Sequence, residues 1–430
     1  TAQNSGVLRF DGTNTTANLG SITLASGGHA YLNGTLVNTG DTLNAPTGGS
    51  FELLGGTIQG GTVAAGALAF TTSGGYLDGV TYTGDLAMTA SSQYVRFLNG
   101  TTFTGANASF ATSSGLYWSQ TGTLTGKTLT LANGAYLYVN GVGNSLTLDA
   151  TTVLNGNASL YTDGSAGTSI INQGTLNHTG SSAQIYAANF TNAGTINATA
   201  GTLQIGTTSS GYVATNAAGG VINVNGANTY LYAPTANPFI NNGTINVQSG
   251  TLFTGTYVTN GPTGRIGGAG TINGNLTLGG GTLAPGNSIG NLTLTNTSFT
   301  VTNPSVFEVE LGGTNSDRLT FVNPVGPVNI GSGLLNLSII LLAPPQEGTV
   351  YTIMNISSGG SGITGTFFNL PNSGSALIAN YAGTDYTLNV YYLANSITLQ
   401  VPEPGTYALM GTGLALLAFR HLRSRRSRRS

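Results

Sequence analysis

The sequence predicts an all-β chain: a parallel β-helix, or solenoid, followed by a C-terminal β end-module and a single C-terminal transmembrane helix. Three observations predict it. A short phrase returns every twenty-odd residues, apolar and polar residues alternate in runs too short for helices, and the last thirty residues trade that texture for an uncharged apolar stretch and an arginine cluster. The expected division is 1–300 for the solenoid, 301–400 for a β-rich capping module and 401–430 for a sorting segment.

Composition sets the class first. Of 430 residues, 67 are glycine, 39% are hydrophobic and only 6% are charged. A disordered chain would be poor in apolar residues and rich in charge, and collagen would hold glycine at every third position; neither fits. The chain has no cysteine, which removes disulfides, thiolate metal sites and thiol catalysis together. Up to Phe419 there are five basic and thirteen acidic residues, and six arginines follow with no acid. An acidic body argues against a nucleic-acid partner. The chain opens on Thr1 rather than Met, and an export signal is expected to have preceded it.

The repeating phrase is "NQGTLN" at 172–177, "NAGTIN" at 192–197, "AGGVINV" around Gly220, "NNGTIN" at 241–246 and "GAGTIN" at 268–273. Its glycines stand at 174, 194, 220, 243 and 270, a spacing in the solenoid range. Each copy reads as a corner plus one strand, because Asn and Gly tolerate tight backbone turns and the following Thr-Leu or Thr-Ile alternates outward and inward. In "LTLANGAYLYVNG", Leu129 and Leu131 share a face, Asn133-Gly134 turns, and Leu137 and Val139 share a face again. "GGTIQGGTV" at 55–63 and "LDGVTYTGDL" at 77–86 repeat the grammar in a second dialect. A β-sandwich would give turns every 8–12 residues without a shared phrase. At roughly 20–25 residues per coil and about 4.8 Å per coil, 300 residues make a rod on the order of 60–70 Å long. Low charge suits such stacking, since a charge repeated in register repels itself while Asn, Thr and Ser ladders bond along the axis. From 305 to 400 the texture is more apolar, with "LLNLSIILL" and the alternation Tyr386, Leu388, Val390, Tyr392; a module here would cover open strand edges.

Catalytic chemistry has few footholds. "GTLTGKT" at 122–128 lacks one residue of a phosphate-binding loop and no helix pattern follows Lys127. His29, His178 and His421 are isolated from one another and read as solvent-facing or turn residues, so no metal and no cofactor is expected. A polysaccharide lyase or hydrolase would need clustered carboxylates. The candidates are Asp78 with Asp85 beside Arg96, and Asp149 with Asp163 beside Lys127, although Asp-Gly at 78–79 and 163–164 is ordinary corner chemistry. Glu308, Glu310, Asp317 and Arg318 read as edge protection in the end-module.

The tail runs "VPEPGTYALMGTGLALLAFRHLRSRRSRRS". Gly405 to Phe419 carries no charge, and as a helix it would be about 22 Å long, short of a full bilayer crossing. Its flanks argue for the membrane nevertheless: a Pro-Glu-Pro break on one side and a positive stop on the other. The expected membrane segment is marked by Gly405, Tyr407, Leu409, Leu414, Leu416, Leu417 and Phe419, and the cytoplasmic stop by Arg420, Arg423, Arg425, Arg426, Arg428 and Arg429.

This order resembles the PEP-CTERM sorting signal of Gram-negative envelope proteins. The resemblance implies that Pro402, Glu403 and Pro404 are recognised by an exosortase, an integral-membrane transpeptidase, while the tail sits transiently in the inner membrane. It further implies delivery to the cell surface or matrix. "GGGTLAPGNSIGNLTL" and "FEVELGGTNSDRLTF", within 271–321, resemble the autotransporter-associated strand repeats of bacterial β-helix surface proteins, although those proteins end in a long membrane barrel. The expected function is that of a non-enzymatic surface or matrix solenoid whose Asn/Thr faces and exposed tyrosines meet exopolysaccharide. The alternative is a carbohydrate-active β-helix enzyme with the same export route.

Overall fold

In the computed structural model the described residues are 6–403 apart from 235–236, 256–257 and 332. They form a stack of short strands in parallel register, about fourteen turns in all, with one 3₁₀ turn at Thr16–Asn18 as the helical element among them. Each coil contributes to three faces. The first face stacks Thr175–His178 on Val153–Gly156 and carries Thr195–Ala198 above it. The second stacks Gly115–Ser119, Tyr136–Val139 and Leu160–Thr162. The third stacks Ser145–Leu148, Ser169–Asn172 and Asn189–Asn192. Val221–Tyr232 and Thr244–Thr254 round a corner unbroken, so the first and second faces are hydrogen-bonded into one sheet there without closing into a barrel.

Inward alternation builds the core. Leu129, Leu131, Leu137 and Val139 are all buried, with the Asn133-Gly134 turn between them and Gly134 at φ 72°. The same inner position is filled by Leu154, Leu176, Ile196, Ile222, Ile245 and Ile266 in successive coils, each at 0% exposure. Like stacks on like because each coil offers its neighbour the same slot.

The recurring phrase turns out to encode two asparagine ladders. Its first Asn ends a third-face strand and is buried: Asn172, Asn192, Asn216, Asn241 and Asn260 are each at 0% exposure. Each side-chain amide donates to the carbonyl oxygen of the next, at 2.8, 2.7, 2.7 and 2.8 Å. Leu148 and Leu278 occupy the register positions before and after this row. The last Asn of the phrase points outward, and Asn246, Asn223, Asn197, Asn177 and Asn155 form a second row in the opposite donor direction at 2.8–2.9 Å. Glycine separates the two because a Cβ at Gly243 would lie 2.2 Å from the Gly220 carbonyl oxygen one coil below.

One copy is out of phase. Thr244 pairs with Arg265, so the first-face successor of "NNGTIN" is Gly264-Arg265-Ile266, and Thr271 of "GAGTIN" pairs with Thr251 on the second face. Both corners need a glycine before an outward Thr, so one phrase serves two places. "GAGTIN" accordingly has Gly268 where the buried ladder would need Asn.

Parallel stacking continues past residue 300, with Ser305–Gly312 on Leu335–Leu341, Arg318–Val322 on Val350–Ser358 and Val328–Asn329 on Ile363–Thr364. Antiparallel strands then close the end: Ala376–Tyr381 pairs Thr384–Leu393, which pairs Ser396–Gln400, which lies along Val350–Ser358. Leu388, Val390, Ile397 and Leu399 seal this layer at 0% exposure. The strand edge that a solenoid would leave open is covered in this way.

Candidate functional site

The corner carboxylates serve the backbone. Asp85 accepts from the Asn107 side-chain amide at 3.0 Å and its N–H at 2.9 Å, which hold it below the usual carboxylate range. Asp149 is raised by burial but lowered overall by the Thr151 and Thr152 hydroxyls. Asp163, again against burial, is held low by the N–H groups of Gly141 and Ser165. Asp78 accepts from Asn99. The pairing of these acids with Arg96 and Lys127 is not the expected one. Lys127 bears electrostatically on Asp85, and its ammonium donates to the Phe103, Thr104 and Gly105 carbonyls at 3.0, 3.4 and 2.7 Å. A lysine held this way explains why "GTLTGKT" is a corner rather than a phosphate loop. Among the described residues no three His, Asp or Glu side chains are placed to hold a metal ion.

Two expectations need correction. His178 faces inward at 0% exposure between Gly156 and Ala198, whose small side chains make room for the ring. Neither ring nitrogen has a hydrogen-bond partner, and burial lowers its pKa. His29, by contrast, is a partly exposed partner of Glu52. Asp317 is no edge charge either, being 1% exposed. Its two oxygens accept the N–H groups of Gly290 and Glu310, each at 2.8 Å, and so pin the 286–290 loop to the hairpin that follows. Burial, against those two N–H groups and helped by the Glu310 and Glu308 charges, pushes it up to about 6. Asp317, Glu308, Glu310 and Arg265 line one cleft of about 350 Å³, where Arg265 bonds Glu308 at 2.7 Å.

The feature that sequence reading left unresolved lies on the second face. Strand register puts Tyr76, Arg96, Tyr117, Tyr138, Tyr161 and Tyr186 in one outward column over six consecutive coils. Alternate spacing within each strand was legible, but the column appears only once register is known. The Arg96 guanidinium carbon lies 5.2, 4.9 and 4.7 Å from the ring centroids of Tyr76, Tyr94 and Tyr117. Tyr117 and Tyr138 are 5.2 Å apart, and Tyr136 donates its hydroxyl to that of Tyr117 at 3.1 Å. Burial raises the pKa of both Tyr136 and Tyr138 above the ordinary phenol value.

The sorting segment leaves directly from the closing layer. Val401, 5% exposed, donates its N–H to the Thr349 carbonyl and accepts from the Gly348 N–H, both at 3.0 Å. Pro402 is half-buried and Glu403 is exposed. No spacer therefore separates the last core residue from the Pro-Glu-Pro box. Pro404, the Gly405 to Phe419 run expected to form the membrane helix, and Arg420 to Arg429 lie outside the described residues, as does His421. Among the described residues no helix is long and apolar enough to cross a membrane.

Comparison with curated proteins finds no match to this chain. Residues 400–426 match the PEP-CTERM protein-sorting motif. A β-solenoid body thus ends in a PEP-CTERM signal, the substrate mark of the membrane-processing enzyme exosortase, and that signal implies export with a transient membrane-anchored C-terminus.

Proposed function

We propose that this chain is a non-enzymatic β-solenoid of the cell surface or extracellular matrix. The Gly405 to Phe419 run holds it transiently in the inner membrane until exosortase acts near Pro402, Glu403 and Pro404. The observation that carries the reading is the abrupt junction: Val401 is locked into the closing layer and Glu403 is already exposed. The body is closed at this end, and the tail is left to the sorting enzyme. The corner carboxylates support a structural role, each being engaged by N–H or side-chain donors of its own or an adjacent coil. The likeness of 271–321 to autotransporter-associated repeats agrees with a passenger-like rod. Mass measurement of the surface-released form tests the reading: a C-terminus upstream of Arg420 is expected, and an intact arginine tail overturns it.

One observation favours a second reading, a carbohydrate-active enzyme: Glu308, Glu310 and Asp317 share a cleft with Arg265, and a carboxyl raised to about 6 suits a general acid. Against it, both Asp317 oxygens are spent on backbone N–H groups. Release of reducing or unsaturated ends from polysaccharide by the wild type, abolished in Glu308→Gln, would favour the enzyme.

A further inference from the structure

We infer that the second face between Tyr76 and Tyr186 is a binding platform for an acidic polysaccharide, with Arg96 receiving a sugar carboxylate. The inference rests on the surface reading above for the presence of such a polymer, and on the following geometry for its recognition.

The column is periodic. Coils stack about 4.8 Å apart, a rise of the same order as one hexose in an extended glycan. A polymer laid along the axis therefore meets an equivalent side chain at each sugar. The rings are half-buried, Tyr76 being the most exposed at 37%. A pyranose has an apolar C–H face and a rim of hydroxyls, and Tyr offers a ring for the one and a phenol for the other.

Arg96 supplies the charge preference. Its guanidinium is held among three rings, yet among the described residues its N–H groups have neither a hydrogen bond nor an ion pair. Lys127, Arg265 and Arg318 have polar partners, and Arg9, over Tyr31 alone, lies outside the column. A planar fork held among aromatic rings is preorganised for a carboxylate. No Asp or Glu stands in the column; the flanking carboxylates Asp78 and Asp163 are tied to Asn99 and to Gly141 and Ser165. A single-stranded nucleic acid also stacks on aromatic rings, but it needs a cationic groove along its backbone. Here a single cation stands in the column, on an acidic body.

The test uses the full chain in mild detergent, run through gels containing polygalacturonate, its neutral methyl ester, or dextran. Retardation by polygalacturonate is expected to exceed that by the ester or dextran, and raised salt should shrink the difference. Arg96→Gln should weaken it about tenfold, the equivalent of one good charged contact, and Tyr117→Thr with Tyr138→Thr should weaken it at least as much. Tyr117→Phe keeps the ring, retains most of the binding and guards against a folding artefact. An unretarded wild type, equal retardation by the ester, tighter binding of single-stranded DNA, or unchanged binding by Arg96→Gln each overturns the proposal. Arg96 is remote from the tail, so C-terminal trimming of the same variants is expected to be normal. Trimming without binding sinks the platform alone, and binding without trimming sinks the sorting reading alone.

Discussion

Replacing members of the buried asparagine row by leucine should cost different amounts at different positions, although the chemistry of each change is the same. Leucine fits the slot, since Leu148 and Leu278 occupy the same register at its two ends with 0% exposure. The row begins with an orphan: Asn172 Oδ1 is buried without a donor because Leu148 below it has none to give. Asn172→Leu removes that orphan and creates one at Asn192 Oδ1, whose donor was Asn172. The count is unchanged. Asn216→Leu keeps the original orphan and adds another at Asn241 Oδ1, whose donor was Asn216 at 2.7 Å. The Asn192 amide, meanwhile, retains the Gly194 and Val221 carbonyls at 3.2 Å. A buried unsatisfied acceptor costs about 1–3 kcal/mol. Both variants gain the same apolar group, so Asn216→Leu should be less stable than Asn172→Leu by about that amount. Urea denaturation followed by circular dichroism gives the comparison, and hydrogen exchange across 169–282 localises the loss, which matters because stacked repeats need not unfold in one step. If the two variants agree within about 0.5 kcal/mol, the error of ordinary additivity, the ladder does not work by mutual satisfaction and the argument fails.

Other perturbations follow from single contacts. Gly243→Ala puts a methyl 2.2 Å from the Gly220 carbonyl oxygen, so the coil must shift; a loss of about 2–4 kcal/mol in the same urea assay is expected. His178 is held below its ordinary pKa by burial, so the unfolded chain binds the proton more readily, and stability should fall as pH drops below 6.5. His178→Leu should remove that acid sensitivity, and an unaltered pH profile would refute the assignment. Asp317 acts in the opposite direction: raised from 3.8 to about 6, its contribution is full below pH 4 and is lost as pH rises through 6. Urea denaturation of the His178→Leu variant between pH 4 and 7 should report that loss, and an unchanged stability would refute it.

How much of this was legible in the sequence depends on whether a residue acts within its strand or across coils. Alternation within a strand needs no partner to be read, so the shared faces of Leu129 with Leu131 and of Leu137 with Val139 are legible, and both faces lie inward. The tail was legible for the same reason, as a linear order of break, apolar run and cations, and residues 400–426 match the sorting motif. Register was not legible. "GAGTIN" looked like a fifth copy, but it lies on another face because two corners impose the same glycine requirement. Asp317 and His178 were misjudged alike: a lone charged or titratable residue in a polar sequence suggests solvent, and only the stacked neighbours reveal a slot for it.

The same distinction places the recognition surface. In a solenoid the inward positions are dictated by the coil below, so they repeat, and repetition is what makes them visible as a phrase. Outward positions carry no such constraint and are free to differ from face to face. Here one outward row is asparagine closed on itself at 2.8–2.9 Å, leaving each amide engaged with its neighbours. The other is tyrosine around an arginine whose donors are unspent. A self-satisfied ladder has little left to offer a ligand, whereas a column of half-buried rings around a guanidinium without a polar partner has both area and charge to give. Moving the polarity tests this directly: Asn197→Tyr with Asn177→Tyr transplants rings onto the first face without Arg96, and should add stacking to dextran and polygalacturonate alike. Selectivity for the acid polymer on that new face would mean that Arg96 is not its source.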